Sequence, residues 1–132
     1  MPLPVAAPAA LTAPISFVCM VLFALFTLFL GLRFILVPTA ASRDFGLTTA
    51  LTSPAGTVKG VRDVCAALLM LSFAWLRDQR ALGVYALLGA IIPAVDGWVA
   101  AKEGGGWDWG RALQHWCGVP AAWAMAYFLL TS

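Results

Sequence analysis

Apolar residues run through this chain in four long blocks, and the polar residues fall mostly between them. The first block, ISFVCMVLFALFTLFLGLRFILV, stops at Pro38. The stretch after it, PTAASRDFGLTTALTSPAGTVKG, is punctuated by Ser, Thr, Gly and Pro and predicts the longest loop. A second block starts at GVRDV, the tight turn RDQR at 77–80 separates it from a third, and KEGGGWDWG at 102–110 leads into a fourth. A helix needs about 20 apolar residues to cross a bilayer. The pattern therefore predicts an all-α membrane protein with spans over roughly 15–37, 60–77, 81–101 and 110–130, in one domain covering 1–132. Short connections make this a four-transmembrane-helix up-down bundle with both termini on one side. The opening MPLPVAAPAALTAP lacks the basic n-region of a secretory signal and reads as an irregular lead-in.

Composition points the same way. The 132 residues are 62% hydrophobic and 11% charged, with a mean hydropathy of +0.91. A domain this small has too little interior to hide that much apolar surface from water, so the lipid bilayer is its expected solvent. The expected location is an integral, multi-pass membrane site, the endoplasmic reticulum if the host is a fungus. A net charge of +2 without a basic cluster excludes nucleic acid as a partner. Cys19, Cys65 and Cys117 stand singly in apolar runs with no CxxC pair, so neither metal, cofactor nor redox pair is expected. No Asn is present, hence no glycosylation sequon. Arg43, Lys59, Lys102 and Arg111 lie towards the two longer loops, against Arg77 and Arg80 opposite, which places the longer loops in the cytosol by the positive-inside rule.

The ionisable residues within the spans share one depth. Arg33 lies near the end of the first span, Asp63 near the start of the second, Asp96 near the end of the third, and His115 near the start of the fourth. At about 1.5 Å per residue, antiparallel order puts them all roughly 4–9 Å inside the same face. Each also has a plainer reading. Arg33 at a helix C-terminus suits the macrodipole and can snorkel. Asp63 in a first turn suits the opposite end of a dipole, and His115 can be a satisfied core histidine. Asp96 is harder to set aside, because AIIPAVDGWVAA surrounds it with apolar residues at a helix end whose dipole repels a carboxylate. An unpaired acid in a span costs about 2.5–3.5 kcal/mol on insertion scales, so such residues face inward, find a partner and mark function. Pro93, one turn earlier, is expected to kink the helix, and Gly89, Pro93 and Gly97 form a seam of compact residues.

GLRFILVP (31–38), GVRD (60–63), IIPAVD (91–96) and His115 together resemble a family of small four-helix integral membrane proteins of fungi and bacteria, catalogued as a domain of unknown function. The likeness covers residues 31 to about 118. Fungal relatives of this kind resemble membrane-bound epoxide hydrolases and cyclases assigned to pyranyl-polyene polyketide pathways of the aurovertin, citreoviridin and asteltoxin type. The resemblance implies an apolar polyene epoxide as substrate. Epoxide opening needs a base for the attacking oxygen and an acid for the leaving one. Asp63, beside Arg62 and a helix N-terminus, suits the ionised base; Asp96, buried against an opposing dipole, suits the acid. Arg33 is then expected to bridge or orient the carboxylates, and His115 to orient water or substitute as the acid. An Asp–Arg–Asp grouping of this sort resembles that of soluble limonene-type epoxide hydrolases, an analogy of site and not of fold. Trp98, Trp116 and Phe45 are the expected apolar contacts of the substrate around a cavity open to the long loops, with residues 44–52 gating it.

Two other classes stay open. A small proton-coupled transporter, possible as a homodimer, is one; such exporters resemble one another in a helix-1 acid, and the first span here has none. The other is a non-enzymatic membrane subunit in which Arg33–Asp63 and Arg62–Asp96 are locking pairs.

Overall fold

A computed structural model of the chain describes residues 9–45, 54–102 and 107–131, and among these every regular element is a helix. They are α1 (Ala9–Leu36), α2 (Pro38–Asp44), α3 (Pro54–Trp75), α4 (Gln79–Gly89), α5 (Ile91–Lys102), α6 (Trp109–Trp116) and α7 (Gly118–Thr131). One residue separates α4 from α5, and one separates α6 from α7, so the molecule packs as four rods with α2 as a short appendix.

Prolines set the breaks. Pro93 has no N–H for the Gly89 carbonyl, and Pro120 none for that of Trp116. Ala90 (φ −59°, ψ −20°) and Cys117 (φ −62°, ψ −22°) keep near-helical dihedrals, so each rod continues past its interruption. Pro38 acts otherwise. Val37 before it leaves the helical region (φ −136°, ψ 60°), which a residue preceding proline avoids, and Pro38 opens a new helix. The expected loop over 38–60 is thus corrected: it holds α2 and the first turns of α3. Starting at Pro54, α3 is about 33 Å long and does not fall short of a hydrocarbon core of about 30 Å.

The chain turns between α3 and α4 in three residues. Arg77 takes a left-handed φ of 54°, while the amides of Arg77 and Asp78 donate to the carbonyls of Ala74 and Phe73. This pairing satisfies the last carbonyls of α3. Asp78 then caps α4 by accepting from the Ala81 amide at 2.9 Å. Asp108 caps α6 in the same way through Arg111.

The buried core is narrow and lies between α1, α3, α4 and α7. Met20, Ala24, Met70, Leu82, Ala86, Ala126 and Leu129 form it, with Phe17, Phe73, Tyr85 and Met125 packed around them. The outer surface is apolar: Phe23, Phe26 and Phe29 on α1, Trp75 on α3, and Trp123 and Tyr127 on α7 are all exposed. Water-soluble monomers rarely present so continuous an apolar surface. Among the described residues two segments, Pro14–Leu36 and Gln79–Lys102, are long and apolar enough to cross a membrane. α3 matches them in length but carries Lys59, Arg62 and Asp63.

Candidate functional site

Lys59, Arg62 and Asp63 lie within little more than one turn of α3, and helical spacing turns Lys59 and Asp63 to the same side. Lys59 Nζ donates to Asp63 Oδ2 at 2.7 Å, and the Arg62 guanidinium bonds Asp63 Oδ1 through Nε at 3.0 Å. Asp96 arrives from α5 and completes the group. Arg62 grips it with two parallel bonds, Nη1 to Oδ1 at 3.1 Å and Nη2 to Oδ2 at 2.9 Å, and Lys59 Nζ reaches Oδ2 at 3.2 Å. Both carboxylates therefore share the same two cations. The nearest oxygens of Asp63 and Asp96 are no further apart than the two Lys59 bonds laid end to end. Asp63 keeps only 6% of its surface exposed. Charge-assisted, forked bonds of this kind are the strong ones, and here they tie α3 to α5.

Phe45, the residue after α2, covers this network. Its ring centroid lies 4.2 Å from Lys59 Nζ and 4.1 Å from the centroid of His115, and it meets Phe34 edge-on. Phe34 offers Lys59 a second aromatic face at 5.0 Å. An ammonium against aromatic faces is stabilised by the ring quadrupole and screened from water. His115 Nε2 faces the Phe45 carbonyl oxygen at 3.4 Å, donating in the tautomer that carries its proton there. His115 thus joins the site through Phe45 and does not bond either carboxylate.

α5 and α6 are locked beside Asp96. Trp116 Nε1 donates to the Ala94 carbonyl at 3.0 Å, and its indole lies against Gly97, where any Cβ would clash with the ring. Trp98, two residues past Asp96, falls on the opposite side of α5. It stacks edge-on against Trp107 and under Lys102, in a cluster with Trp109 and Trp116. Trp116 is consequently a packing contact of the site, and Trp98 belongs to the outer aromatic cluster. Of the expected compact seam, Gly97 meets Trp116, Pro93 packs against Gly118, and Gly89 faces only Tyr85 of its own helix.

The expected partnerships need three corrections. Arg33 does not bridge the carboxylates: it pairs with Asp44 on α2 at the exposed edge, because α2 folds back and offers a nearer acid. Lys59 takes the bridging place. Asp63 lies in the third turn of α3 and not the first, so its partners are the Lys59 and Arg62 cations rather than a helix terminus. Asp96, expected as the neutral acid on the strength of burial and an opposing dipole, has two cations on its carboxylate. Arg62–Asp96 does form as a pair, whereas Arg33–Asp63 does not. The Lys59 signal is present in the sequence as the i, i+4 spacing to Asp63, once α3 is begun at Pro54. The cleft that reaches Asp63 is lined by neither Arg33, Asp96 nor His115; it lies deeper, and its other polar side chains are Thr27 and Tyr85. Phe45 lies where the gating segment begins, and 46–53 fall outside the described residues. No group of three or more His, Cys, Asp or Glu side chains placed to hold a metal occurs among the described residues.

Residues 24–129 match a family described as Domain of unknown function (DUF4267). No curated protein and no solved structure matches the chain.

Proposed function

We propose that this chain, which belongs to the Domain of unknown function (DUF4267) family, is a membrane-embedded epoxide hydrolase or epoxide-opening cyclase acting on an apolar polyketide. In this reading all four rods cross the bilayer, and the protein is multi-pass with its long loops on the cytosolic side. One observation carries the chemistry: Asp63 and Asp96 are held by a single guanidinium and a single ammonium at the head of an apolar cleft. Only Asp63 lines that cleft, which suits it as the base that takes the proton of water or of a substrate hydroxyl. That oxygen bonds to one epoxide carbon as the ring C–O bond breaks. The proton needed by the freed oxygen is returned from the Asp96 side through the Lys59 ammonium, which bonds both carboxylates. Asp63 then gives up its proton to the same network, and no cofactor enters the balance.

The complete pairing of the four charges also supports a second reading, a non-enzymatic membrane subunit in which the network fixes the register of α3 and α5. A proton-coupled transporter is the third. Purified protein in lipid nanodiscs, given apolar polyene epoxides in heavy-oxygen water, separates them. Epoxide opening predicts a product carrying one heavy oxygen, or a cyclised isomer, and about a hundredfold or greater loss in Asp63→Asn and Asp96→Asn with the helical content unchanged. Full turnover in either variant removes that residue from the chemistry. No turnover in the native protein, together with proton flux in vesicles, favours the transporter.

A further inference from the structure

Below the ion network, α1, α3, α4, α5 and α7 leave a cleft of about 80 Å³. Its walls include Met20, Met70 and Met125, one from each of α1, α3 and α7, together with Ala66 and Ala122. Thioether side chains adapt their shape to what they touch, and alanines leave room. The volume takes the head of a chain-like molecule and not its whole length. Phe23 both lines the cleft and is 45% exposed, so the cleft opens on the apolar outer face of α1. A guest therefore comes from lipid.

Three polar side chains reach this space: Thr27, Asp63 and Tyr85. Thr27 already donates its hydroxyl to the Phe23 carbonyl at 2.9 Å. Asp63 accepts one bond from Arg62 on Oδ1 and one from Lys59 on Oδ2, whereas an ionised carboxylate has about four acceptor sites. Tyr85 runs its ring along Gly89, where a Cβ would come within 3.5 Å, so the ring points up α4 towards the depth of Asp63. Its hydroxyl feels the charges of Asp63 and Arg62 and has no hydrogen-bond partner among the described residues. Tyr85 is half-buried, and its phenol keeps a donor for a guest in the cleft. A carboxylate with spare acceptor sites and a phenol with a free donor thus line the same, mostly apolar cleft.

We propose that this cleft is the ligand site, taking the oxygen-bearing end of a long apolar chain between the Asp63 carboxylate and the Tyr85 hydroxyl, with the tail leaving past Phe23 into the bilayer. Tyr85 donates a hydrogen bond to the ether or hydroxyl oxygen of the ligand, and Asp63 accepts from its hydroxyl or from a water beside it. The assignment rests on the epoxide reading for the reaction that follows, and not for the binding.

The probe is a long-chain alcohol carrying a diazirine, photolysed with the full chain in nanodiscs. Competitors are a terminal epoxide, an alcohol and an alkane of equal chain length. Saturable labelling is expected on α1 around Met20 to Thr27 and on α7 around Gly118 to Met125. The epoxide and the alcohol should compete about tenfold better than the alkane, as one net hydrogen bond allows. Tyr85→Phe should erase that preference, and Ala122→Phe should remove the saturable label by filling the cleft, with Ala66→Phe as the second filling variant if the first does not fold. Labelling elsewhere, an alkane that competes equally in the native protein, or Tyr85→Phe that keeps the native preference overturns the proposal. Native protein that shows this labelling without turning over any epoxide sinks the enzymatic reading and leaves the cleft standing. Turnover with the label elsewhere does the reverse.

Discussion

Gly31 of α1 and Gly60 of α3 meet backbone to backbone. A Cβ on Gly60 would lie 2.8 Å from the Gly31 carbonyl oxygen, and one on Gly31 would lie 2.8 Å from the Val64 amide nitrogen. Such an approach is open only to residues without side chains, and it draws the rods together at the depth of the ion network. The same crossing sets Phe34, three residues past Gly31, over Lys59, one residue before Gly60.

Gly60→Ala and Gly31→Ala should therefore each destabilise the protein. The obstructing atoms are backbone, which cannot swing aside, and overpacking of this kind costs about 1–3 kcal/mol. Alanine regains up to about 1 kcal/mol through its better helix propensity, so a net loss is expected at both positions. Unfolding titrated with sodium dodecyl sulfate in mixed micelles measures it. An unchanged midpoint in both variants would mean that α1 and α3 do not cross this closely.

The two kinds of ion pair in this chain should differ in energy. Lys59 and Asp96 keep 13% and 14% of their side-chain surface, whereas Arg33 and Asp44 keep 36% and 58%. Exposed pairs contribute about 0–1 kcal/mol, but removing one partner of a buried pair leaves a charge without compensation. A double-mutant cycle with Lys59→Met and Asp96→Asn should give a coupling of at least about 1 kcal/mol, and the cycle with Arg33→Met and Asp44→Asn less than half of that. Equal couplings would show that the network around Lys59 is as open to water as the edge pair.

The four rods can be read from the sequence because their apolar runs are long and the polar breaks short. The common depth of Asp63, Asp96 and His115 follows from helix arithmetic alone. What the sequence hides is partnership. TVKG reads as the end of a loop because Pro54 looks like punctuation, when it is the first residue of α3; Lys59 is thereby placed outside the helix that carries it. Pro38 misleads in the same manner, since a proline that ends one helix can begin the next, and Asp44 on that next helix is what claims Arg33. Tyr85 stands in the run VYALLG, where its ring fits the apolar pattern and its hydroxyl leaves no periodic trace.

Phe45 should control the access of water to Lys59. Its ring lies over Nζ on one side and against His115 on the other, so it closes the network on that side. The ammonium bonds both carboxylates beneath that cover and is little exposed. Phe45→Ala removes the ring and leaves both carboxylate partners of Lys59 in place, whereas Phe45→Leu keeps most of the apolar cover. The readout is the rate at which a water-soluble acylating reagent modifies Lys59, followed by mass spectrometry in nanodiscs. Phe45→Ala should raise that rate at least about tenfold, equivalent to some 1.4 kcal/mol less protection, and Phe45→Leu should raise it far less. Lys102 sits over the Trp98 ring and not against Phe45, so its modification should stay constant and serve as the internal reference. If Phe45→Ala leaves the Lys59 rate at the native value, the two carboxylates alone protect the amine, and the aromatic cover is a packing contact without control over water.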